Sequence, residues 1–135
     1  MILPIPACLI WGDSIAAGLA TRYPACVSVA KVGAPTSEIA RWPLPRYRGV
    51  TVVSAGSNDP ESPTIGRDMY AIRARIAGPV IWVVPRSMSG AMATLAACRP
   101  GDRAAFLSSV PSKDGIHPVS YARLAVAVDR AAPCR

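Results

Sequence analysis

Short apolar runs alternate along this chain with segments whose apolar residues return every three or four positions. The runs Ala7–Trp11, Val27–Val32, Val50–Ala55, Pro79–Val84 and Arg103–Ser108 are too short for buried helices and rich in β-branched residues, so they predict five strands. Helical spacing predicts helices over Ser14–Arg22, Thr36–Arg41, Thr64–Ala77, Ser87–Cys98 and Pro118–Ala131. Ile65, Met69, Ile72 and Ile76 form one face of the third helix, and Ala122, Leu124, Ala125, Val128 and Ala132 one face of the last. The strands are continuously apolar rather than alternating, as in a parallel sheet covered on both faces. Strands interleaved with helices imply right-handed crossovers and a three-layer α/β/α sandwich in a single domain of 135 residues.

In such a sheet, ligands bind beyond the carboxyl ends of the strands. Ser14, Gly33, Asn58 and Arg86 each follow a predicted strand, and the loop Asp114–His117 follows the fifth, so all are expected on one edge. Cys8, Cys26, Cys98 and Cys134 fall mostly on the opposite edge, away from chemistry. They are read as free, buried thiols, most firmly for Cys8, although three pairings are open if all four oxidise.

The bulk numbers narrow the function classes. A net charge of +7, carried mainly by arginine, favours encounters with anionic partners, but charge alone is weak support for nucleic acid, which is not the expected ligand. No Cys-x-x-Cys motif occurs and the chain has one histidine, so a structural metal site is not expected. The N-terminus lacks the pattern of a secretory signal, and no apolar run approaches the ~18 residues that span a bilayer, so the default expectation is cytoplasmic. Oligomeric state is not encoded in any visible pattern.

The single histidine decides which chemistry is available. A serine hydroxyl at neutral pH needs a base, and imidazole is suited to that task, so serine-based chemistry here must run through His117. Asp114, three residues earlier in a glycine-containing loop, can turn back to orient the ring. Ser14 lies at a strand-to-helix junction, where free N–H groups favour developing negative charge. The N–H groups of Ser14 and Gly33 and the side-chain amide of Asn58 are candidate oxyanion donors. Plainer roles compete: Ser14 as a helix N-cap, His117 as a cap of the last helix, Asn58 and Gly33 as turn residues. Asp13 and Asp59 read as structural, bonding to loops around the site. Arg86 is a solvated loop arginine or a substrate contact. Trp42, in the basic and aromatic stretch Arg41–Arg48, either packs on the body or stacks on a ligand.

Gly12-Asp13-Ser14, Gly33, Gly56-Ser57-Asn58-Asp59 and Asp114-Gly115-Ile116-His117 resemble the four sequence blocks of the SGNH (GDSL-type) hydrolases, in the family's order. The second block departs from the family pattern: the segment reads Lys31-Val32-Gly33-Ala34-Pro35-Thr36-Ser37, and Pro35 has no N–H to donate. The resemblance implies a flavodoxin-like sandwich with a five-stranded parallel sheet in the order 2-1-3-4-5. It implies Ser14 as nucleophile, His117 as base and then acid, Asp114 as its orienting carboxylate, and Ser14, Gly33 and Asn58 as the oxyanion hole. It further implies hydrolysis of esters without metal or organic cofactor. The short chain leaves little room for a lid, so the expected substrate is a short-chain ester, with carbohydrate O-acetyl groups preferred. A small acyl thioesterase, or a weakly catalytic module binding glycans or polyanions, is the alternative.

Overall fold

The computed structural model describes residues 8–43 and 49–134; Ala7, Leu44–Arg48 and the rest of the N-terminal segment lie outside them. Five parallel strands, β1 (Cys8–Gly12), β2 (Val27–Ala30), β3 (Val50–Ser54), β4 (Val80–Val84) and β5 (Arg103–Phe106), form the body of the sheet. A sixth, β6 (Ala132–Pro133), pairs antiparallel with β5, so the order is β2-β1-β3-β4-β5-β6. The expected order 2-1-3-4-5 is therefore present, with one strand added. The sequence reading ran the last helix to Ala131 and placed Ala132 on its face; instead α5 (Tyr121–Asp129) ends earlier and Ala132 joins β6. Pro133 is tolerated there because β6 is an edge strand.

Strand residues alternate between two cores. Trp11, Val53, Trp82 and Val84 face the side covered by α2 (Thr36–Ile39), α3 (Ile65–Ala74) and α4 (Met88–Ala97). Ile10, Val52, Val83 and Ala105 face α1 (Ser14–Ala20) and α5. This gives the three layers, and all four residues of the predicted α3 face are buried. Two boundaries differ from expectation. β5 yields to a 3-10 turn at Leu107–Ser109, and α5 starts at Tyr121, where the Ser120 hydroxyl caps it by accepting from Arg123 N–H. His117 and Pro118 thus belong to the loop and not to the helix start. Among the described residues, no helix is long and apolar enough to cross a membrane.

The cysteines correct the free-thiol expectation, Cys8 included: Cys8 bonds Cys26, and Cys98 bonds Cys134. Leu9 is paired with Val27, so Cys8 and Cys26 are neighbours on adjacent chains, 4.8 Å apart at Cα, as interstrand spacing dictates. The second bridge pins the end of α4 to the residue after β6. Closing loops of 18 and 36 residues restricts the unfolded chain by about 3–4 kcal/mol each in the chain-entropy account.

A buried ion pair ties the edge remote from the proposed chemistry. Asp102 accepts from Arg73 Nε at 2.7 Å and Nη2 at 3.0 Å, from the N–H groups of Val80 and Arg99, and from Trp82 Nε1 at 3.4 Å. Burial opposes the charge on Asp102, but the hydrogen bonds from Arg73 and then the backbone donors outweigh it and hold its pKa below the ordinary value. Removing the carboxylate strands a buried guanidinium and several N–H groups. Asp102→Ala is expected to lower stability by about 3–5 kcal/mol in urea unfolding; a loss below about 1 kcal/mol would show that the cluster is not a fastening.

Candidate active site

The site begins with a glycine. Gly12 ends β1 with φ +147, and a Cβ built there would lie 1.8 Å from the carbonyl oxygen of Ser54 on β3. Only glycine permits this approach. Beyond it the chain stays bound to the sheet: Asp13 N–H donates to Ser54 O at 3.0 Å, and Lys31 N–H donates to Gly12 O at 3.0 Å. The ends of β2, β1 and β3 are thereby held level.

Asp13 then starts α1. Its carboxylate accepts from Ile15 N–H at 3.1 Å, so Asp13 is the N-cap and Ser14 the first helical residue. This settles the competing role for Ser14, whose hydroxyl is left free of capping and lies 2.9 Å from His117 Nε2. Asp13 also accepts from the Ser54 hydroxyl at 3.0 Å, the structural role expected of it. Its second oxygen is buried without a partner among the described residues.

His117 is presented by a closed loop. Ser112 and Pro118 form an isolated antiparallel bridge, and Val119 N–H donates to Pro111 O at 2.9 Å. Within it, Asp114 uses one oxygen to accept from Ile116 N–H at 2.8 Å, His117 N–H at 2.7 Å and the Ser112 hydroxyl at 3.1 Å. The other oxygen meets His117 Nδ1 at 2.7 Å. The hydrogen bond to His117, followed by those from the backbone of Ile116 and His117, holds the Asp114 pKa well below the usual carboxylate range. The carboxylate is therefore ionised at neutral pH and favours a ring that carries its proton on Nδ1, leaving Nε2 to accept from Ser14. Both side chains are about half exposed, so the site is open.

The candidate oxyanion donors come from three loops. Gly33 adopts φ +79 in the turn after β2, where Ala34 N–H is already committed to Lys31 O at 3.2 Å. Among the described residues, the N–H groups of Ser14 and Gly33 have no acceptor. Asn58 donates to Ala34 O at 3.2 Å, which spends one of its two N–H bonds and leaves the other. Asp59 accepts from the Thr36 hydroxyl at 2.8 Å, so the loop after β3 grips the loop after β2 at two points. Ser14, Asp114 and His117 are thus joined by direct hydrogen bonds, while Asn58 and Gly33 are held on the same sheet edge by the interlocked loops.

Two further expectations divide. Arg86 is half-buried, not simply solvated, and donates to the carbonyl oxygen of Val110 at the base of the histidine loop. Trp42 packs on Trp11, with ring centroids 6.3 Å apart, at the margin of the core under α3. That is the packing reading of its loop, and Leu44–Arg48 lie outside the described residues. Sequence reasoning missed Ser54, Ser112 and Tyr121. The Tyr121 ring occupies the place that a Cβ at Gly18 would take, only 2.1 Å from it, so a glycine in α1 admits the start of α5. Burial first, then the charges of Asp13 and Asp114, raise the Tyr121 pKa. Among the described residues, no group of three or more His, Cys, Asp or Glu side chains gathers to hold a metal ion.

Burial raises the Asp13 pKa from 3.8 to about 6, against the hydrogen bonds from Ser54, Ile15 and Ala16. The folded state therefore holds this proton more tightly than the unfolded chain. Stability from the protonated form is complete below about pH 4 and is lost as pH rises through about 6. In Asp13→Asn this contribution is absent. From pH 4.5 to 7.5 the wild type is expected to lose about 2 kcal/mol of stability relative to Asp13→Asn in urea unfolding, and a constant difference would refute the assignment. Neither a protein-family model nor a curated protein sequence matches the chain.

Proposed function

We propose that the chain is a serine esterase of the SGNH type, acting on short-chain acyl esters, with carbohydrate O-acetyl groups the favoured case. One observation carries the reading: a relay from Ser14 Oγ through His117 to Asp114, with contacts of 2.9 and 2.7 Å. A structural histidine has no need of a serine on one ring nitrogen and a backbone-clamped carboxylate on the other.

The chemistry follows from the geometry. Ser14 Oγ attacks the ester carbonyl carbon while His117 Nε2 takes the hydroxyl proton. The new oxyanion draws on the free N–H groups of Ser14 and Gly33 and the remaining amide hydrogen of Asn58, each worth about 3 kcal/mol by analogy with other oxyanion holes. His117 passes its proton to the departing alkoxide, leaving an acyl group on Ser14. Water, deprotonated by His117, then attacks that acyl carbon; the bond to Ser14 Oγ breaks, His117 returns the proton to Oγ, and the acyl group leaves as the carboxylic acid. Asp114 stays ionised throughout and favours the imidazolium that forms twice per turnover.

The open position of His117 and Asp114 supports a substrate taken from solution or from the surface of a polymer, with little enclosure of an acyl chain. The paired cysteines further support folding in an oxidising compartment, in place of the cytoplasmic default.

The test is turnover of a p-nitrophenyl acyl series from acetate to octanoate. The wild type is expected to favour the shortest chains. Ser14→Ala is expected to lower kcat/KM by at least about 10³-fold, and Asp114→Asn by about 10²–10⁴-fold. Equal turnover by wild type and Ser14→Ala would overturn the nucleophile assignment.

A further inference from the structure

Next to the histidine loop lies a cleft of about 350 Å³. Ser57 from the loop after β3 and Arg86 and Ser87 from the loop after β4 form one part of its wall. Gly115 and Ile116, the two residues between Asp114 and His117, form another. The cleft is thus contiguous with the proposed relay. No carboxylate lines it, and Arg86 is its one charged group.

The state of Arg86 is unusual for a surface arginine. One Nη donates to Val110 O, which fixes the guanidinium plane. Nε is buried without a hydrogen-bond partner, and the other Nη has none among the described residues. Arg86 has no ion pair there either. A guanidinium keeps its charge under all ordinary conditions, so partial burial without acceptors carries a cost that an incoming anion relieves. The neighbouring Ser57 hydroxyl also has no partner among the described residues and offers one more donor, whereas Ser87 already caps α4 through Gly90 N–H. Ile116, 37% exposed, supplies apolar surface beside the charge. The overall charge of +7 favours encounter with the same class of ligand.

We propose that Arg86 and this cleft form a subsite for an anionic group of the substrate. The class is narrowed to esters that also carry a carboxylate or phosphate. The proposal rests on the esterase reading for its link to turnover, but the anion subsite has its own readout. Arg86 acts in two ways on this account. Its Nη that bonds nothing among the described residues binds the anion, with the unpaired Nε adding to the uncompensated charge behind it, while its bond to Val110 steadies the histidine loop.

Two ester pairs, each a neutral ester against a carboxylate-bearing relative and each compared between wild type and variants, separate these effects: 4-nitrophenyl butyrate against 4-nitrophenyl hydrogen succinate, and phenyl acetate against 4-acetoxybenzoate. The first places the charge on the acyl half and the second on the alcohol half. In the pair that matches the subsite, the anionic-to-neutral ratio of kcat/KM is expected to fall about tenfold in Arg86→Met, chiefly through KM, and to be partly kept in Arg86→Lys. A ratio unchanged in both pairs, with both members slowed alike, would reduce Arg86 to a strut and overturn the proposal. NMR titration of wild type and Arg86→Met with succinate and with inorganic phosphate reads binding without turnover. At least one anion is expected to bind the wild type at least tenfold more tightly, and the stronger of the two identifies the group; equal binding in both proteins overturns the subsite. Should Ser14→Ala retain wild-type turnover, the esterase reading fails, and the titration still decides the anion subsite.

Discussion

The site depends on how closely β1 passes β3 at its end. A side chain at Gly12 would collide with the Ser54 carbonyl, and without that collision two chains can be locked by Asp13 N–H to Ser54 O. From this crossing the rest follows over a few residues. Asp13 is turned inward, where it caps α1 and accepts from the Ser54 hydroxyl. Ser14, relieved of capping, emerges on the first turn with its hydroxyl toward His117. The arrangement places a buried carboxylate with one unpartnered oxygen directly before the serine, at a cost to stability at neutral pH. A sequence selected for stability alone would put a neutral cap there.

The two edges of the sheet are built for different work. The edge opposite the relay is fastened by covalent and ionic means: both disulfides, and the Arg73–Asp102 pair with its surrounding donors. The edge that carries the relay is held by lighter bonds between loops, such as Thr36 to Asp59, Asn58 to Ala34, and Arg86 to Val110. For a chain this short the division is sensible, because the fastenings supply stability that a small core lacks and leave the loops free to carry polar groups. The proposed anion subsite extends the same logic, since Arg86 both braces a loop and keeps donors in reserve.

Much of this was legible in the sequence. Continuous apolar runs between helical repeats pointed to the layers and a parallel sheet, because a strand with two buried faces cannot alternate, while the strand order came only from the resemblance to the SGNH hydrolases. The position of every candidate residue just after a strand then placed the site on one edge. The parts that were not legible have physical reasons. β6 is a two-residue edge strand containing proline, too short to leave a pattern. Asp102 sits in Pro100-Gly101-Asp102, which reads as an ordinary turn, and only the fold brings Arg73 to it from 29 residues away. Cys8 and Cys26 were inferable in principle, since both precede strands predicted to be neighbours; Cys134 was not, because its place depends on β6. The role of Ser14 as the first helical residue, with Asp13 as cap, turns on backbone angles that the residue types alone left open.

The central claim is that Ser14 is a nucleophile activated by His117. The most direct test is exposure of the intact protein to a fluorophosphonate, followed by mass spectrometry of the adduct and its peptide. One phosphonyl group on Ser14 is predicted, absent in Ser14→Ala and strongly slowed in His117→Ala. No adduct on the wild type, or labelling of Ser14→Ala at the wild-type rate, would contradict the account.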